Sequence, residues 1–239
     1  MSETRGRLYS ILFSAVLSIV CCTLLTAAHT GLKPRQLANM ELDRQKNILK
    51  AAGVLTGDTA MTGKQIRDLY TASIESVTVD NQGNTLSQGS GQGLPLFLLK
   101  QDSQIKAYII PIQSRGLWGK ILGYIAFKDD GKTVAGFSIY SHSETPGLGG
   151  EIEKQWFARN FVGKQIVNKD NQFVSVGIAK GSAERLPRDE QEHMVDGISG
   201  ATLTGKYLSQ GLRQNLETYE PVSVRFRQGR PLDAKEVKP

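Results

Sequence analysis

The sequence predicts an α+β protein, in which an N-terminal transmembrane helix precedes a domain with a twisted, mainly antiparallel sheet flanked by helices. Two observations indicate this class. Residues 9–28 form an uncharged apolar stretch, which is long enough to cross the core of a bilayer as a helix. From Leu94 onwards, short runs rich in β-branched and aromatic residues alternate with turn sequences. Only two or three helices are expected among these runs, which is typical of a mainly antiparallel sheet.

We interpret the apolar stretch as a retained membrane anchor. It is longer than the apolar core of a usual signal peptide, although Thr26-Ala27-Ala28 would serve as a poor cleavage site. Basic residues flank both ends, two before the stretch and four after it: Arg5, Arg7, Lys33, Arg35, Arg44 and Lys46. By charge counting alone, the orientation of the anchor is therefore undecided.

The elements expected beyond the anchor divide the chain into parts. The predicted parts are, in order, a short tail at 1–8, the anchor at 9–28, a helical and mixed connecting region at 29–93, a main domain at 94–220 and a polar surface tail at 221–239. The elements predicted in these parts are, in order, helices over 36–52 and 62–72, a strand over 75–80, a flexible loop over 87–93, strands over 96–99, 106–112, 121–127, 133–140 and 173–179, a helix through 156–160, and a long helix after residue 199.

Composition argues against several classes of protein. The formal net charge is +6, but Lys and Arg are scattered and form no patch interleaved with aromatic residues, so we expect no nucleic-acid partner. The two cysteines, Cys21 and Cys22, lie in the anchor, which leaves the rest of the chain without a thiol ligand or nucleophile. The three histidines, His29, His142 and His193, are widely separated in sequence, and we expect no metal site.

A glycine-rich loop follows the strand predicted over 133–140. Residues 141–151 read SHSETPGLGGE and lead into the helix predicted through 156–160. Glycines in such a turn let the backbone approach a flat or anionic ligand. The same residues also fit an ordinary strand-to-helix turn, in which Pro146 sets the bend, so the loop alone leaves both interpretations open.

A second loop, residues 196–204 with the sequence DGISGATLT, opens the last long helix. Five residues then lie roughly on one helical face: Ala201, Leu208, Leu212, Leu216 and Tyr219. This spacing places Ser199 at the N-cap and Thr202 in the first turn, where free N–H groups and the helix dipole favour a phosphate. Asp and Ser are also common before any helix, so the pattern by itself does not demand a phosphate.

Three segments together resemble motifs of a family of FMN-binding domains. They are Asp196-x-x-Ser199-Gly200-Ala201-Thr202, Glu144-Thr145-Pro146-Gly147-Leu148-Gly149 and Gly116-Leu117-Trp118, in the family's order and at similar separation. In that family FMN is linked by a phosphodiester to the last threonine of the first motif. The resemblance therefore implies covalent FMN on Thr202 and makes Asp196 a motif residue, for recognition by a modifying enzyme or for capping.

The resemblance also implies roles for the neighbours of Thr202. Expected donors to the phosphate, through backbone N–H or hydroxyl groups, are Ser199, Gly200, Ala201 and Thr204. Candidates to line the ribityl chain and the flavin ring are Glu144, Thr145, Gly147, Leu148 and Trp118. Leu148 and Trp118 equally fit an interpretation as core residues.

Within this family the chain most resembles the C subunits of the Na+-translocating NADH:quinone reductases. Gly150-Glu151, Leu203 and the Gly116-Leu117-Trp118 segment favour them over the G subunits of the RNF ferredoxin:NAD+ oxidoreductases, which are the alternative. The resemblance implies a one-electron carrier among other subunits of an ion-pumping complex, with its domain on the periplasmic side of the bacterial inner membrane. It further implies a separate flavin transferase that uses FAD to modify Thr202, with any metal belonging to that enzyme.

Several functions are assigned elsewhere or excluded. No Gly-x-Gly-x-x-Gly fingerprint follows a strand, so we expect NADH oxidation in another subunit. Electron transfer requires no catalytic acid or base, and one helix cannot enclose an ion path. From a different class, an anchored extracytoplasmic binding or sensor domain without covalent flavin stays open, whereas a hydrolase using Ser199 or Ser143 lacks a convincing base.

Overall fold

The computed structural model describes residues 2–55, 61–86, 93–102, 104–230 and 232. The chain divides into two units, Met1–Asp43 and Arg44–Pro239. Residues 87–92 of the predicted loop, and residues 231 and 233–239 of the predicted tail, lie outside the described residues. The described elements confirm the α+β class, with an apolar N-terminal helix, an antiparallel sheet and flanking helices.

Helix α1, Ser2–Ala51, contains the apolar stretch. From Tyr9 onwards it is long and apolar enough to cross a membrane. The hydroxyls of Thr23 and Thr26 each donate to the carbonyl four residues earlier at 2.7 Å, so these polar groups are satisfied within the helix. The prediction of two separate helices here is wrong, because Pro34 removes one backbone hydrogen bond without ending the helix.

The second unit is built on a six-stranded antiparallel sheet with the order β2-β1-β3-β4-β5-β6. Its strands are β1 Ile74–Val79, β2 Thr85–Leu86, β3 Leu94–Gln101, β4 Gln104–Arg115, β5 Lys120–Lys128 and β6 Val134–Ser141. They confirm the predicted strands over 75–80, 96–99, 106–112, 121–127 and 133–140. Successive side chains of a strand point to opposite faces, and the long buried runs of β4 and β5 show that both faces are covered.

One face of the sheet packs against helix α5, Thr202–Arg227. The ring of Tyr108 on β4 stacks between Phe127, at a centroid distance of 5.2 Å, and Phe226 of α5, at 4.5 Å. Its hydroxyl hydrogen-bonds to the hydroxyl of Ser223 at 2.8 Å. Burial raises the pKa of Tyr108 far above its usual value, so this phenol stays protonated.

Helix α5 continues through Pro221, which corrects the prediction of a polar surface tail from this residue. Val222 and Phe226 are buried in the main core. The reason is that apolar residues keep their helical spacing beyond Pro221, so burial of this face outweighs the hydrogen bond that the proline removes. Arg227 ends the helix, and its side chain pairs with that of Glu220, which lies on the same helix.

The approach of α5 to β4 is closest at Gly211. A Cβ atom there would lie 2.3 Å from the Cβ and Oγ atoms of Ser114, so no other residue fits without moving the helix. The Ser114 hydroxyl donates to the carbonyl of Tyr207 at 2.8 Å, and the amide of Asn215 donates to the carbonyl of Gln113 at the same distance. These contacts fix the N-terminal half of α5 along β4.

The opposite face of the sheet is covered by the last turns of α1. Ile48 and Leu49 are fully buried, and Asn47 accepts a hydrogen bond of 2.8 Å from the Ser138 hydroxyl of β6. Gly136 allows the approach, since a Cβ atom there would lie 2.3 Å from the carbonyl oxygen of Ala51. Residues 44–51 therefore belong to the core of the second unit.

Two smaller helices complete the predicted set. Helix α2, Gly63–Ser73, begins after a capping box in which Thr62 and Gln65 exchange hydrogen bonds, and it confirms the helix predicted over 62–72. Helix α3, Gln155–Arg159, follows a 3-10 turn at Gly149–Glu153 and confirms the helix predicted through 156–160. A single further turn, α4, covers Arg188–Gln191.

The prediction of a strand over 173–179 is mostly wrong. The range contains one short strand, β7, Gly177–Ile178, which pairs in parallel with β8, Met194–Val195, and an isolated bridge from Phe173 to Val167. The backbone before it turns instead, because Ser175 has a φ of +74° and the N–H groups of Val174 and Ser175 both donate to the carbonyl of Ile166. The short pair matters for the site, since it places the segment after β7 beside the segment after β8.

Candidate functional site

The two loops singled out in the sequence meet at the N-terminus of α5. Thr202 is the first residue of that helix and is exposed. The N-cap is Ala201, which provides no side-chain hydrogen bond. The prediction that Ser199 caps the helix is therefore wrong, because the positive φ of Gly200, +75°, and the bond from the Ala201 N–H to the Ile198 carbonyl form a turn that separates Ser199 from the helix.

The first backbone donors of α5 have no acceptor among the described residues. The helix ladder starts with the bond of 3.0 Å from the Gly205 N–H to the Ala201 carbonyl. Within the described part of the chain, the N–H groups of Thr202, Leu203 and Thr204 have no hydrogen-bond partner. Such a helix start carries partial positive charge and unsatisfied donors, so it favours an anion beside the Thr202 hydroxyl.

A groove of about 470 Å³ opens beside Thr202. The residues lining it are Lys180, Gly181, Ser182, Asp196, Gly197, Ile198, Ser199, Gly200 and Thr202. Lys180 is brought there by the β7–β8 pair, since the Ala179 N–H donates to the Val195 carbonyl at 2.8 Å and the Gly197 N–H donates to the Gly181 carbonyl at 2.7 Å. Lys180 therefore lines the same groove as the free helix start.

Asp196 is committed to the neighbouring loop. Its Oδ1 atom accepts hydrogen bonds from the Ala183 N–H at 2.6 Å and from the Ser182 hydroxyl at 3.2 Å. The carboxylate thus caps the 3-10 turn Ala183–Arg185 and does not cap α5. Its structural effect is to fix the loop that carries Lys180.

Glu144 is buried and joins three segments of the site. Its Oε1 atom accepts from the Trp118 N–H at 3.0 Å, and its Oε2 atom accepts from the Thr204 hydroxyl at 2.5 Å. The hydroxyl hydrogen of Thr204 is therefore unavailable to a phosphate, which leaves the backbone N–H of Thr204 as the donor that this residue could offer. Glu144 itself is buried, so it does not form part of the exposed surface that was predicted to line the ribityl chain and the flavin ring.

Four apolar side chains of these segments are exposed. Trp118 is 68% exposed, and Leu117, Leu148 and Leu203 are 43%, 42% and 48% exposed. This exposure rules out the interpretation of Trp118 and Leu148 as core residues. Leu148 lies against Gly200, where an added Cβ would come within 2.7 Å of its Cδ2 atom, so the glycine-rich loop and the turn before α5 are in contact.

The remaining predicted residues lie around these contacts. Thr145 and Gly147 are exposed in the glycine-rich loop, and Ala201 is buried. Trp118 lines a second groove, of about 540 Å³, together with residues 113–120 and Gln214. The glycine-rich loop thus contacts the turn before α5, and the buried Glu144 carboxylate connects the first turn of α5 with the Trp118 segment.

His142 holds the glycine-rich loop in place. Its Nδ1 atom accepts from the Glu144 N–H at 3.1 Å, which leaves the proton on Nε2, 3.2 Å from a carboxylate oxygen of Glu153. Burial acts to raise the pKa of Glu153, but the hydrogen bonds from His142 and Lys154 and the positive charge of Lys154 outweigh it and lower the pKa below its usual value. His142 therefore has a structural partner on each ring nitrogen.

Sequence reasoning missed Lys180 and the pairing of Glu144 with Thr204. No local pattern marks Lys180, because only the β7–β8 pair connects it with Thr202. The Glu144 contact spans sixty positions of sequence, and its one local signal was the pair of glycines that leave room for the carboxylate, Gly116 and Gly149.

Comparison with known proteins gives this site a family. The FMN-binding domain family matches residues 116–217. The chain is 31% identical to the C subunit of the Na(+)-translocating NADH-quinone reductase from Pseudomonas aeruginosa, over 86% of this chain and 90% of that protein. It is 33% identical to the corresponding C subunit from Yersinia pestis, over 82% of this chain and 83% of that protein.

A solved structure agrees with these relatives. The C subunit from Parabacteroides distasonis superposes with a TM-score of 0.68 at 28% identity, covering 82% of this chain and 96% of that chain. The relatives carry the quinone reductase name, as the three sequence segments predicted. The chain belongs to the family formed by the C subunits of the Na(+)-translocating NADH-quinone reductases.

Proposed function

We propose that this chain is an electron-carrier subunit of a Na+-translocating NADH:quinone reductase and binds FMN covalently through the hydroxyl of Thr202. The observation that carries the proposal is the exposed Thr202 side chain at the first position of a 26-residue helix. The first three N–H groups of that helix have no acceptor among the described residues. A phosphate ester at Thr202 would lie next to these donors.

The residues present fit a phosphate at this place. Free N–H groups and the helix dipole stabilise an anion, and Lys180 adds a cation in the adjoining groove. The positive φ of Gly200 turns the backbone away from the helix axis and leaves the N-terminus open. Asp196, the nearby acid, has an oxygen committed to the Ala183 N–H and the Ser182 hydroxyl.

The residues also fit a flat aromatic ring. Leu117, Trp118, Leu148 and Leu203 expose apolar surface that a ring could cover. We expect Trp118 and Leu148 to contact the flavin, with Thr145 and Gly147 of the same loop beside them. When bound, FMN supplies reversible electron transfer, while the protein holds the ring and sets its surroundings.

Attachment would require a second enzyme. We propose that a flavin transferase uses FAD as the donor, so that the Thr202 oxygen forms a bond to the FMN phosphorus. The bond between the two phosphates of FAD breaks, AMP leaves, and the hydroxyl proton goes to solvent. The exposure of Thr202 supports this proposal, because a separate enzyme must reach the hydroxyl.

We propose that α1 anchors the protein in the bacterial inner membrane by a single pass, with the flavin domain on the periplasmic side. The apolar length of α1 supports the anchor, and the resemblance to the family supports the sidedness. The bilayer and the other subunits of the reductase would then be its partners. Sodium transport would require those subunits, since one helix cannot enclose an ion path.

The test compares Thr202→Ala with Thr218→Ala, which removes an exposed hydroxyl from the same helix. Both variants are expressed as full chains with the companion subunits and the transferase, then denatured and separated on a gel. We expect flavin fluorescence on the polypeptide of the wild type and Thr218→Ala, and none on Thr202→Ala. Fluorescence on Thr202→Ala would refute Thr202 as the attachment site. Bare wild-type peptide by mass mapping would refute covalent attachment and leave an anchored domain without covalent flavin.

A further inference from the structure

The buried carboxylate of Glu144 is the one acidic group that reaches from the glycine-rich loop to both neighbouring segments of the described site. It is only 4% exposed. One oxygen accepts from the Trp118 N–H at 3.0 Å, and the other accepts from the Thr204 hydroxyl at 2.5 Å. Electron transfer uses no acid or base, so the proposed function by itself gives this costly buried group no task.

Two glycines make room for the carboxylate. A Cβ atom at Gly116 would lie 2.4 Å from Oε1 of Glu144. A Cβ atom at Gly149 would lie 2.8 Å from Oε2 of Glu144 and 2.6 Å from Oγ1 of Thr204. Any side chain at either position would displace the pair, so the backbone on both sides is shaped around it.

The two hydrogen bonds connect the surfaces on which a flavin would lie. Thr204 is in the first turn of α5, two residues after Thr202, so its position fixes the direction in which the Thr202 side chain leaves the helix. The Trp118 N–H fixes the backbone that carries the exposed Trp118 ring. The loop of Glu144 also presents Leu148, which lies against Gly200.

We propose that Glu144 and Thr204 form a positioning pair, which holds the first turn of α5 against the Trp118 segment and so sets how closely the protein encloses a group attached at Thr202. This inference rests on the proposed function. Neither side chain touches the flavin in this role. Breaking the pair should therefore loosen the enclosure of the flavin ring, while FMN should still become attached at Thr202.

The test uses the full chain in the assembled complex, with four variants at the pair and its surroundings and one control variant. Thr204→Val keeps the shape but removes the donor, and Gly149→Ala displaces both partners. Thr204→Ser keeps the hydroxyl. Glu144→Gln also keeps a bond to Thr204, because the hydroxyl can accept from the amide N–H while the amide oxygen still accepts from Trp118.

Each variant is first checked for covalent flavin on a denaturing gel. Acrylamide, a neutral quencher, is then titrated against the flavin fluorescence of the native complex. We expect a larger quenching constant and a lower fluorescence anisotropy in Thr204→Val and Gly149→Ala, and wild-type values in Thr204→Ser and Glu144→Gln. Val222→Ala, a core change at the far end of α5, is the control for general destabilisation and should leave both values unchanged.

Three results separate the possible failures. Flavin-free wild-type chain would refute the proposed attachment. Flavin-bearing Thr204→Val and Gly149→Ala chains with wild-type quenching and anisotropy would refute the positioning pair alone, as would an equal change in Val222→Ala.

Discussion

Replacing Phe226 by Ala tests whether the helix beyond Pro221 is part of the core. Phe226 is 4% exposed, and its ring stacks on Tyr108 at a centroid distance of 4.5 Å with an interplanar angle of 21°. The substitution removes this ring and leaves a cavity against Tyr108. If the segment were a polar surface tail, the same change would have almost no effect.

The expected loss of stability follows from this burial. Truncation of a buried Phe to Ala costs about 3–5 kcal/mol, and a stacked aromatic pair accounts for about 0.5–1.5 kcal/mol of such a loss. For a unit of the size of Arg44–Pro239, each 1 kcal/mol lowers the melting temperature by about 2–4 °C. We therefore expect a decrease of about 6–20 °C, worked from those two ranges.

Thermal unfolding of the full chain in detergent measures this decrease. Near-ultraviolet circular dichroism is the appropriate signal, because it reports aromatic packing in the second unit, where Tyr108 and Phe226 lie. Gln214→Ala, an exposed change on the same helix, should stay within about 0.5 kcal/mol of the wild type. A Phe226→Ala melting temperature equal to that of Gln214→Ala would refute the reasoning.

Three further predictions concern close approach, the acidic motif residue and pH. Gly211→Ala should lower stability by about 1–3 kcal/mol in urea unfolding, because the new methyl would lie 2.3 Å from Ser114; an unchanged midpoint would contradict it. Asp196→Asn should incorporate flavin as the wild type does, since an amide oxygen can still accept from the Ala183 N–H. Asp196→Ala should incorporate less flavin. An equal loss of flavin in both variants would instead favour recognition of the Asp196 charge by the transferase. Burial acts to raise the pKa of Asp130, but the hydrogen bonds to its carboxylate lower the pKa below its usual value. Asp130→Ala should therefore be less stable than the wild type at pH 7, and the difference in stability should shrink as the pH falls through that lowered pKa. A stability difference that does not depend on pH would count against this account.

Local patterns in the sequence predicted most of the sheet. Short runs rich in β-branched and aromatic residues, separated by turn sequences, identified β1 and β3–β6, because both signals are local in the sequence. The continuity of α1 through Pro34 and of α5 through Pro221 could not be predicted in the same way. Whether a proline ends a helix depends on how much surface the following turns bury, and that depends on the sheet they pack against.

In the candidate site, too, local features could be predicted from the sequence and long-range contacts could not. Thr202 could be singled out because a small-residue turn before an amphipathic helix is a local signal, and resemblance to a family added its chemistry. The cap was predicted at the wrong residue because the positive φ of Gly200 is a property of the folded turn. The bond between Glu144 and Thr204 depends on the whole sheet bringing two distant loops together, which no local pattern encodes.

The burial of Ile48 and Leu49 at the end of α1 has a practical consequence for anyone preparing a water-soluble fragment. A truncation placed just after the apolar stretch would keep these side chains, but one placed at the start of α2 would strip the cover from β6, exposing Gly136 and Ser138. Fragments should begin upstream of Arg44, where the compact second unit starts. Shorter versions should aggregate through the uncovered sheet.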